Sequence, residues 1–216
     1  MCYNLIMNIK LMPLFSIPLM EFEYGQTSED ENKIIYHYLN DSKPNVYNVK
    51  TNESYILDKG LTKLKNFIES AIDVYVKNVI VGDEYDENLS FKITQSWVNL
   101  TKPGSLGHHQ HYHSNSVISG VFYVKTNDVD NIVFANNFLS LQTISIPVKK
   151  YNQFNSDTWR FPVSAGKLIL FPSNLLHQVE SPIGDEDRIS LSFNVFPFGL
   201  LGCREQLSEL RILEDK

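Results

Sequence analysis

The sequence predicts a mainly β, α+β domain in which N-terminal helices pack on one face of an antiparallel sandwich. Two helical patterns come first, and from Phe91 onward the chain turns to short β-rich runs separated by turn residues. With 216 residues, 43% of them hydrophobic, the chain is expected to form a single domain, residues 1–216, with a substantial core. The candidate strands cover residues 91–100, 117–126, 131–136, 142–148, 167–172 and 188–196.

The two helices are predicted from a start signal and from an apolar stripe. Ser28 and Glu31 stand at the spacing of a capping box, so the first helix is expected to begin there and to end before Pro44. His37 lies alone on that helix and is expected to be a surface residue. The second helix is expected over residues 58–79, where apolar residues recur every three or four positions. They are Leu61, Leu64, Phe67, Ile68, Ala71, Ile72 and Tyr75.

The candidate strand from Arg188 to Val195 alternates strictly between polar and apolar residues. A period of two places each set on its own face. We expect the polar face to line a cavity and the apolar face to pack under the helices, because a binding pocket needs a few convergent polar groups. The other interpretation is a half-exposed strand with a solvated face. The polar set is Arg188, Ser190, Ser192 and Asn194, and the apolar set is Ile189, Leu191, Phe193 and Val195.

Bulk properties exclude several classes of protein. The net charge is −6 and there is no basic stripe, so no nucleic-acid partner is expected. Cys2 and Cys203 form no C-x-x-C pair, which indicates a reducing compartment. The apolar start, residues 1–20, is interrupted by polar residues and prolines and is followed by no small-residue cleavage pattern. We therefore expect a soluble cytoplasmic protein without a membrane partner.

Five of the six histidines lie in two places, residues 108–113 and His177. On an extended segment, positions i and i+2 point the same way, so His111 and His113 could bind one metal ion, with His109 and His111 as the competing pair. His177 follows a candidate strand that ends at Pro172, and a short turn would return it to the mouth of the sheet. The alternative is a solvated histidine-rich loop.

Taken in order, these motifs resemble the 2-oxoglutarate- and Fe(II)-dependent dioxygenases. The ordered set is H-x-H, Phe122-Tyr123, the Gly166–Pro172 strand, His177 and then Arg188-x-Ser190. The likeness covers about residues 91–196 and is greatest to the prolyl-hydroxylase-like branch and to uncharacterised bacterial and phage members. It implies a double-stranded β-helix (jelly roll) whose catalytic core is residues 91–196, with the N-terminal helices packed on one sheet.

The resemblance also implies roles for individual residues. It places Fe(II) on His111, His113 and His177. It implies hydroxylation of an unidentified small molecule or peptide, with decarboxylation of 2-oxoglutarate to succinate. The residues that would bind 2-oxoglutarate are Arg188, Ser190, Tyr123 and, as a weaker candidate, Asn99.

One departure from the family pattern concerns the metal ligands. The usual set is two histidines and one carboxylate, but His113 stands at the carboxylate position, and no Asp or Glu lies between Glu87 and Asp128. Either three imidazoles hold the iron, or water fills one position and His113 points elsewhere. Three neutral ligands would make the site more positive by one charge, which should tighten binding of a dianion and raise the Fe(III)/Fe(II) potential.

Two other functions compete with the oxygenase. A cupin-like three-histidine metalloprotein would not use 2-oxoglutarate and would leave Arg188 without a role. A metal-binding module without turnover would have a closed coordination shell. Neither the substrate nor the oligomeric state can be read from the sequence.

Two segments outside these motifs carry weaker expectations. The segment 127–166 is expected to be a hairpin and loop, in which Tyr151, Phe154 and Trp159 form either an aromatic wall or loop anchors. The tail, residues 198–216, is expected to contain an amphipathic helix that caps the fold.

Overall fold

A computed structural model describes residues 10–45, 48–82, 88–136 and 147–213. The described helices are α1 (Glu29–Asn40) and α2 (Thr62–Tyr75). The described strands are β1 (Met20–Glu23), β2 (Ser42–Asn45), β3 (Asn48–Thr51), β4 (Ser90–Thr101), β5 (His108–His111), β6 (Ile118–Lys125), β7 (Asn131–Ala135), β8 (Thr158–Pro162), β9 (Lys167–Pro172), β10 (Leu176–Val179), β11 (Arg188–Leu201) and β12 (Leu210–Ile212).

The strands form two antiparallel sheets. The larger sheet has the order β1-β9-β6-β11-β4-β3-β2, with β12 paired to β11, and the smaller sheet has the order β5-β10-β7-β8. Residues of both sheets share one core, in which Val121 and Ile169 of the larger sheet pack with Ile132 and Phe134 of the smaller one. This is the predicted jelly roll, and the fold class is confirmed.

The helices cover the outer face of the larger sheet, as predicted. Ile35 of α1 and Ile68 of α2 are fully buried against strand residues such as Phe122. The capping box is also confirmed, because Glu31 donates its backbone N–H to Ser28 Oγ (3.3 Å) and Ser28 donates its backbone N–H to Glu31 Oε2 (2.8 Å). In the described part of the chain, neither helix has the length and apolar character needed to cross a bilayer.

The second predicted helix is divided into three pieces. A 3₁₀ turn at Ile56–Asp58 precedes α2, and a π-helical segment at Val76–Val81 follows it. Gly60 adopts a left-handed φ of 95° between the turn and α2, which separates them. The apolar stripe was therefore predicted correctly, whereas the continuous helix over residues 58–79 was not.

Strand β11 has the predicted alternation. Its apolar residues Ile189, Leu191, Phe193 and Val195 are at most 1% exposed and pack under the helices. Arg188, Ser190 and Ser192 on its opposite face line a pocket. The structure therefore favours the predicted cavity over a solvated face.

The predicted tail helix is wrong. Residues Arg204–Gln206 form a 3₁₀ turn, and β12 then pairs with β11. Leu207 is 96% exposed and adopts a left-handed backbone with φ 56°, so the apolar spacing of the tail serves no buried helix face. The edge of β11 offered backbone hydrogen bonds that a short isolated helix could not match.

The segment between β6 and β9 is a hairpin, as expected, formed by β7 and β8. Most of the predicted strand at residues 142–148 lies outside the described residues. Tyr151, Phe154 and Trp159 are each at least 42% exposed, so none of them is a buried anchor. His37 is a surface residue, as predicted.

Gly120 of β6 provides a test of how tightly the helix-side core is packed. A Cβ atom on Gly120 would lie 2.0 Å from Cζ of Phe193, the facing residue on β11. We expect Gly120→Ala to lower the free energy of unfolding by about 1–3 kcal/mol, as overpacking does. Urea denaturation measures this. Adding Phe193→Leu, which removes the obstructing ring, should recover part of the loss. A double variant whose loss equals the sum of the two single losses would contradict the expected clash.

Candidate metal centre

The histidines that the sequence separates by 64 residues meet because β10 pairs with β5. The register places His177 directly opposite His111. His113 follows β5, and its backbone N–H donates to the carbonyl of Ser173 (2.9 Å), which holds it beside the same strand pair. Nε2 of His111 and Nε2 of His113 are 3.3 Å apart. Ligand atoms of His111, His113 and His177 all lie within 4.8 Å of one another, the one such group found among the described residues.

This spacing suits a single metal ion. With metal–nitrogen bonds of about 2.1 Å, nitrogens on one face of an octahedron lie roughly 3 Å apart. The structure therefore places His113 in the cluster rather than away from it. His109, the competing partner, is exposed, and its carbonyl oxygen accepts a hydrogen bond from Nδ1 of His111 (2.8 Å).

Each of the three rings is held in one tautomer. Nδ1 of His111 donates to the carbonyl of His109, and Nδ1 of His177 donates to the carbonyl of Leu175 (2.9 Å). Nδ1 of His113 donates to the side-chain oxygen of Asn194. Since all three acceptors are amide or carbonyl oxygens, the Nδ1 proton is retained on every neutral ring. Nε2 of each ring is then a bare lone pair, as in metal sites whose ligands are oriented through their other nitrogen.

Burial keeps these rings uncharged. It lowers the pKa of His111 and of His113, and it lowers the pKa of His177 to about 3, with the neighbouring His111 as a further cause. At neutral pH all three are therefore neutral. Three lone pairs directed at one point repel each other unless a cation lies between them, so this donor set fits a divalent metal ion.

A row of polar side chains lies beside the histidines on the larger sheet. Ser190 of β11 is in register with Asn99 of β4 on one side and with Tyr123 of β6 on the other. All three line the same pocket as the histidines. Asn99 Oδ1 and the Tyr123 hydroxyl are buried without a hydrogen-bond partner. Unpaired buried polar atoms are costly in a protein interior, so these two atoms indicate a ligand with polar groups.

Arg188 is present in the pocket, but it is already paired. Its Nη1 lies 3.2 Å from Oδ1 of Asp130, with the two side chains 2% and 1% exposed. Its Nη2 donates to the carbonyl of Glu180 (2.7 Å). Asp130 therefore offsets the charge of Arg188 within the pocket, while the extra positive charge expected at the metal ligands stays a prediction. Sequence reasoning missed Asp130, since an Asp before a strand in an Asn- and Asp-rich turn is usually solvated.

His108 was also missed. Its ring stacks on that of His111 with centroids 4.3 Å apart, it lines the pocket, and burial lowers its pKa to about 3. The register of β5 shifts between His111, opposite His177, and His108, opposite Val179. Such a bulge breaks the alternation of faces, so His108 rather than His109 joins the pocket. A sequence run made mostly of histidines does not show where a bulge lies, so His108 could not be identified from the sequence.

Comparison with known proteins supports the interpretation of this geometry. Residues 95–194 match the family described as putative 2OG-Fe(II) oxygenase. No curated protein matches the sequence. Among solved structures, HygX from Streptomyces hygroscopicus with nickel and 2-oxoglutarate bound is 8% identical, with 83% of each chain covered and a TM-score of 0.54. An oxidoreductase of the 2OG-Fe(II) oxygenase family from Burkholderia pseudomallei is 12% identical, with 76% of this chain and 75% of the other covered and a TM-score of 0.52.

A third solved structure is that of an epimerase. The epimerase SnoN, in complex with Fe³⁺, α-ketoglutarate and nogalamycin RO, is 9% identical, covers 83% of this chain and 79% of its own, and has a TM-score of 0.56. At these identities the likeness shows the fold alone. Together with the match over residues 95–194, it confirms the resemblance of this domain to the 2OG-Fe(II) oxygenases.

The geometry predicts which histidines bind metal. Losing a residue that only hydrogen-bonds to a metal ligand weakens metal binding roughly 10- to 100-fold. We expect His177→Ala and His113→Ala to weaken Co(II) binding by more than that, because each removes a ligand itself. His37→Ala, a change on the exposed face of α1, is the control and should leave the affinity unchanged. Calorimetric titration of metal-free protein measures all three. A larger loss from His109→Ala than from His113→Ala would favour the competing ligand pair.

Proposed function

We propose that this protein is a 2-oxoglutarate- and Fe(II)-dependent oxygenase that hydroxylates a small molecule or peptide and converts 2-oxoglutarate to succinate. One observation carries the proposal: three imidazoles with bare Nε2 atoms, His177 buried and the other two partly buried, face a pocket that holds unpaired polar atoms and an arginine. The match of residues 95–194 to the oxygenase family supports it.

His111, His113 and His177 would hold Fe(II) through Nε2. Three protein ligands leave positions open for a co-substrate and oxygen, unlike a closed structural site. Bound Fe(II) and 2-oxoglutarate together supply the oxygen activation. The chain itself supplies the fixed tautomers, which keep the lone pairs directed at one point, and the burial, which keeps protons from competing with the metal.

The polar row would hold the far carboxylate of 2-oxoglutarate. Burial raises the pKa of Tyr123, so its hydroxyl keeps its proton and can donate a hydrogen bond. The Ser190 hydroxyl is its neighbour across the strand pair, and Arg188 lies two residues along β11 on the same face. An arginine has five N–H donors. Asp130 and Glu180 take two of those of Arg188, which leaves donors for a ligand.

The structural neighbours agree with this choice of metal and co-substrate. HygX contains nickel and 2-oxoglutarate, and SnoN contains Fe³⁺ and α-ketoglutarate. SnoN is an epimerase, so the same fold accommodates an outcome other than hydroxylation. Hydroxylation of the substrate therefore needs a measurement separate from that of metal and co-substrate binding.

Anaerobic addition of Fe(II) and then 2-oxoglutarate to metal-free protein tests the site. We expect a new visible charge-transfer band that is absent in His177→Ala, because the keto acid and the histidine bind the same ion. With oxygen and no further substrate, slow formation of succinate should follow. Tight Fe(II) binding without a band would contradict the proposal and favour a cupin-like or structural metal site.

Tyr123→Phe tests the pocket with little structural disturbance. The change removes a hydroxyl that has no partner within the protein, so we expect unchanged or higher thermal stability. Affinity for 2-oxoglutarate, measured by titration of the visible band, should fall about tenfold because one hydrogen bond to a charged group is lost. Equal affinity in the two proteins would place the co-substrate elsewhere in the pocket.

A further inference from the structure

The metal ligands include no carboxylate, but a carboxylate, that of Asp130, lies beside Arg188 at the other end of the pocket. In a site with two histidines, one carboxylate and an unpaired arginine, the divalent metal and the protein groups sum to two positive charges. Here all three ligands are imidazoles, which bind a metal through a neutral nitrogen, and Asp130 cancels the charge of Arg188 at 3.2 Å. The sum is again two positive charges, but all of it lies at the metal end. If the pocket holds 2-oxoglutarate, as the proposed function requires, this distribution of charge affects which 2-oxo acids it prefers.

The ion pair is built into the fold rather than formed by chance. Oδ1 of Asp130 accepts from Arg188, while Oδ2 accepts the backbone N–H of Asn127 (2.9 Å). Arg188 is also tied to the carbonyl of Glu180. Both charges are almost completely removed from solvent, at 1% and 2% exposure. Water therefore screens neither the attraction within the pair nor the field of Asp130 in the pocket.

A ligand carboxylate at Arg188 would feel both members of this pair. The guanidinium attracts it and offers hydrogen bonds, and the Asp130 carboxylate behind the guanidinium repels it. A ligand therefore gains less binding affinity from a charged tail, relative to an uncharged one, than it would gain at an isolated arginine. The metal end would be unaffected, because the keto acid of any 2-oxo acid would bind there with the same charge.

We propose that Asp130 is a specificity-determining residue that reduces the preference of this site for dianionic 2-oxo acids. The pocket then also accepts monoanionic 2-oxo acids with an uncharged tail of similar length. Asp130 acts through Arg188 and touches no ligand itself, so its effect appears in the ratio of two affinities. A merely structural role would weaken both ligands alike and leave that ratio unchanged.

The test uses metal-loaded full-length protein under anaerobic conditions. Dissociation constants for 2-oxoglutarate and for 2-oxopentanoate, which has the same chain length without the second carboxylate, are measured by titration. In the natural protein we expect 2-oxoglutarate to bind less than about tenfold more tightly. In Asp130→Asn that ratio should rise by about tenfold or more. Glu186→Gln is the control, since it removes the same charge from an exposed pair with Lys125 and should leave the ratio unchanged.

Each result decides the matter. A preference for 2-oxoglutarate above about tenfold in the natural protein overturns the inference without any variant, which covers the case that Asp130→Asn does not fold. An unchanged ratio in a folded Asp130→Asn protein also overturns it, while the proposed function stands because both acids still bind. Binding of neither acid to the metal-loaded natural protein overturns the proposed function, and the inference falls with it.

Discussion

Strand β11 must keep a single register against both of its neighbours, because its two faces serve opposite purposes. One face is apolar and packs under the helices, and the other presents Arg188, Ser190 and Ser192 to the pocket. A slip of one residue would exchange the faces and bury the arginine among aliphatic side chains. The pairing with β4 and β6 therefore aligns Asn99, Ser190 and Tyr123 in one row and supports the helix-side core through the same hydrogen bonds.

The pocket tolerates its buried polar groups because nearly every one is neutral or paired. The histidines lose their charge through burial, and the charge of Arg188 is matched within the protein. Removing one member of a buried pair costs more than the pair contributes, so Arg188 and Asp130 are expected to persist or change together. The exceptions are Asn99 Oδ1 and the Tyr123 hydroxyl, and both residues line the pocket beside the histidines. The polar atoms without hydrogen-bond partners thus lie in the same pocket as the candidate metal ligands.

The features readable from sequence were those with a strong local pattern. The capping box at Ser28, the apolar stripe of α2 and the alternation of β11 each depend on neighbouring residues, and all three were predicted. The four-residue strands β5 and β10 carry no such pattern, although their pairing creates the metal centre. Asp130 follows a turn, and His108 lies at a β-bulge. Their positions in the pocket depend on long-range strand pairing, which the spacing of residue types does not encode.

A neutral third imidazole is compatible with this site because its surroundings are neutral as well. His113 donates to the amide oxygen of Asn194 rather than to a carboxylate, and Asn194 lies beside the hydroxyl of Ser119 (3.5 Å). Ser119 in turn hydrogen-bonds to Ser173 (2.9 Å), whose carbonyl accepts the backbone N–H of His113. This closed ring of uncharged groups orients His113 without adding negative charge. The anion that balances the metal must then come from the ligand, which favours binding metal and co-substrate together over either alone.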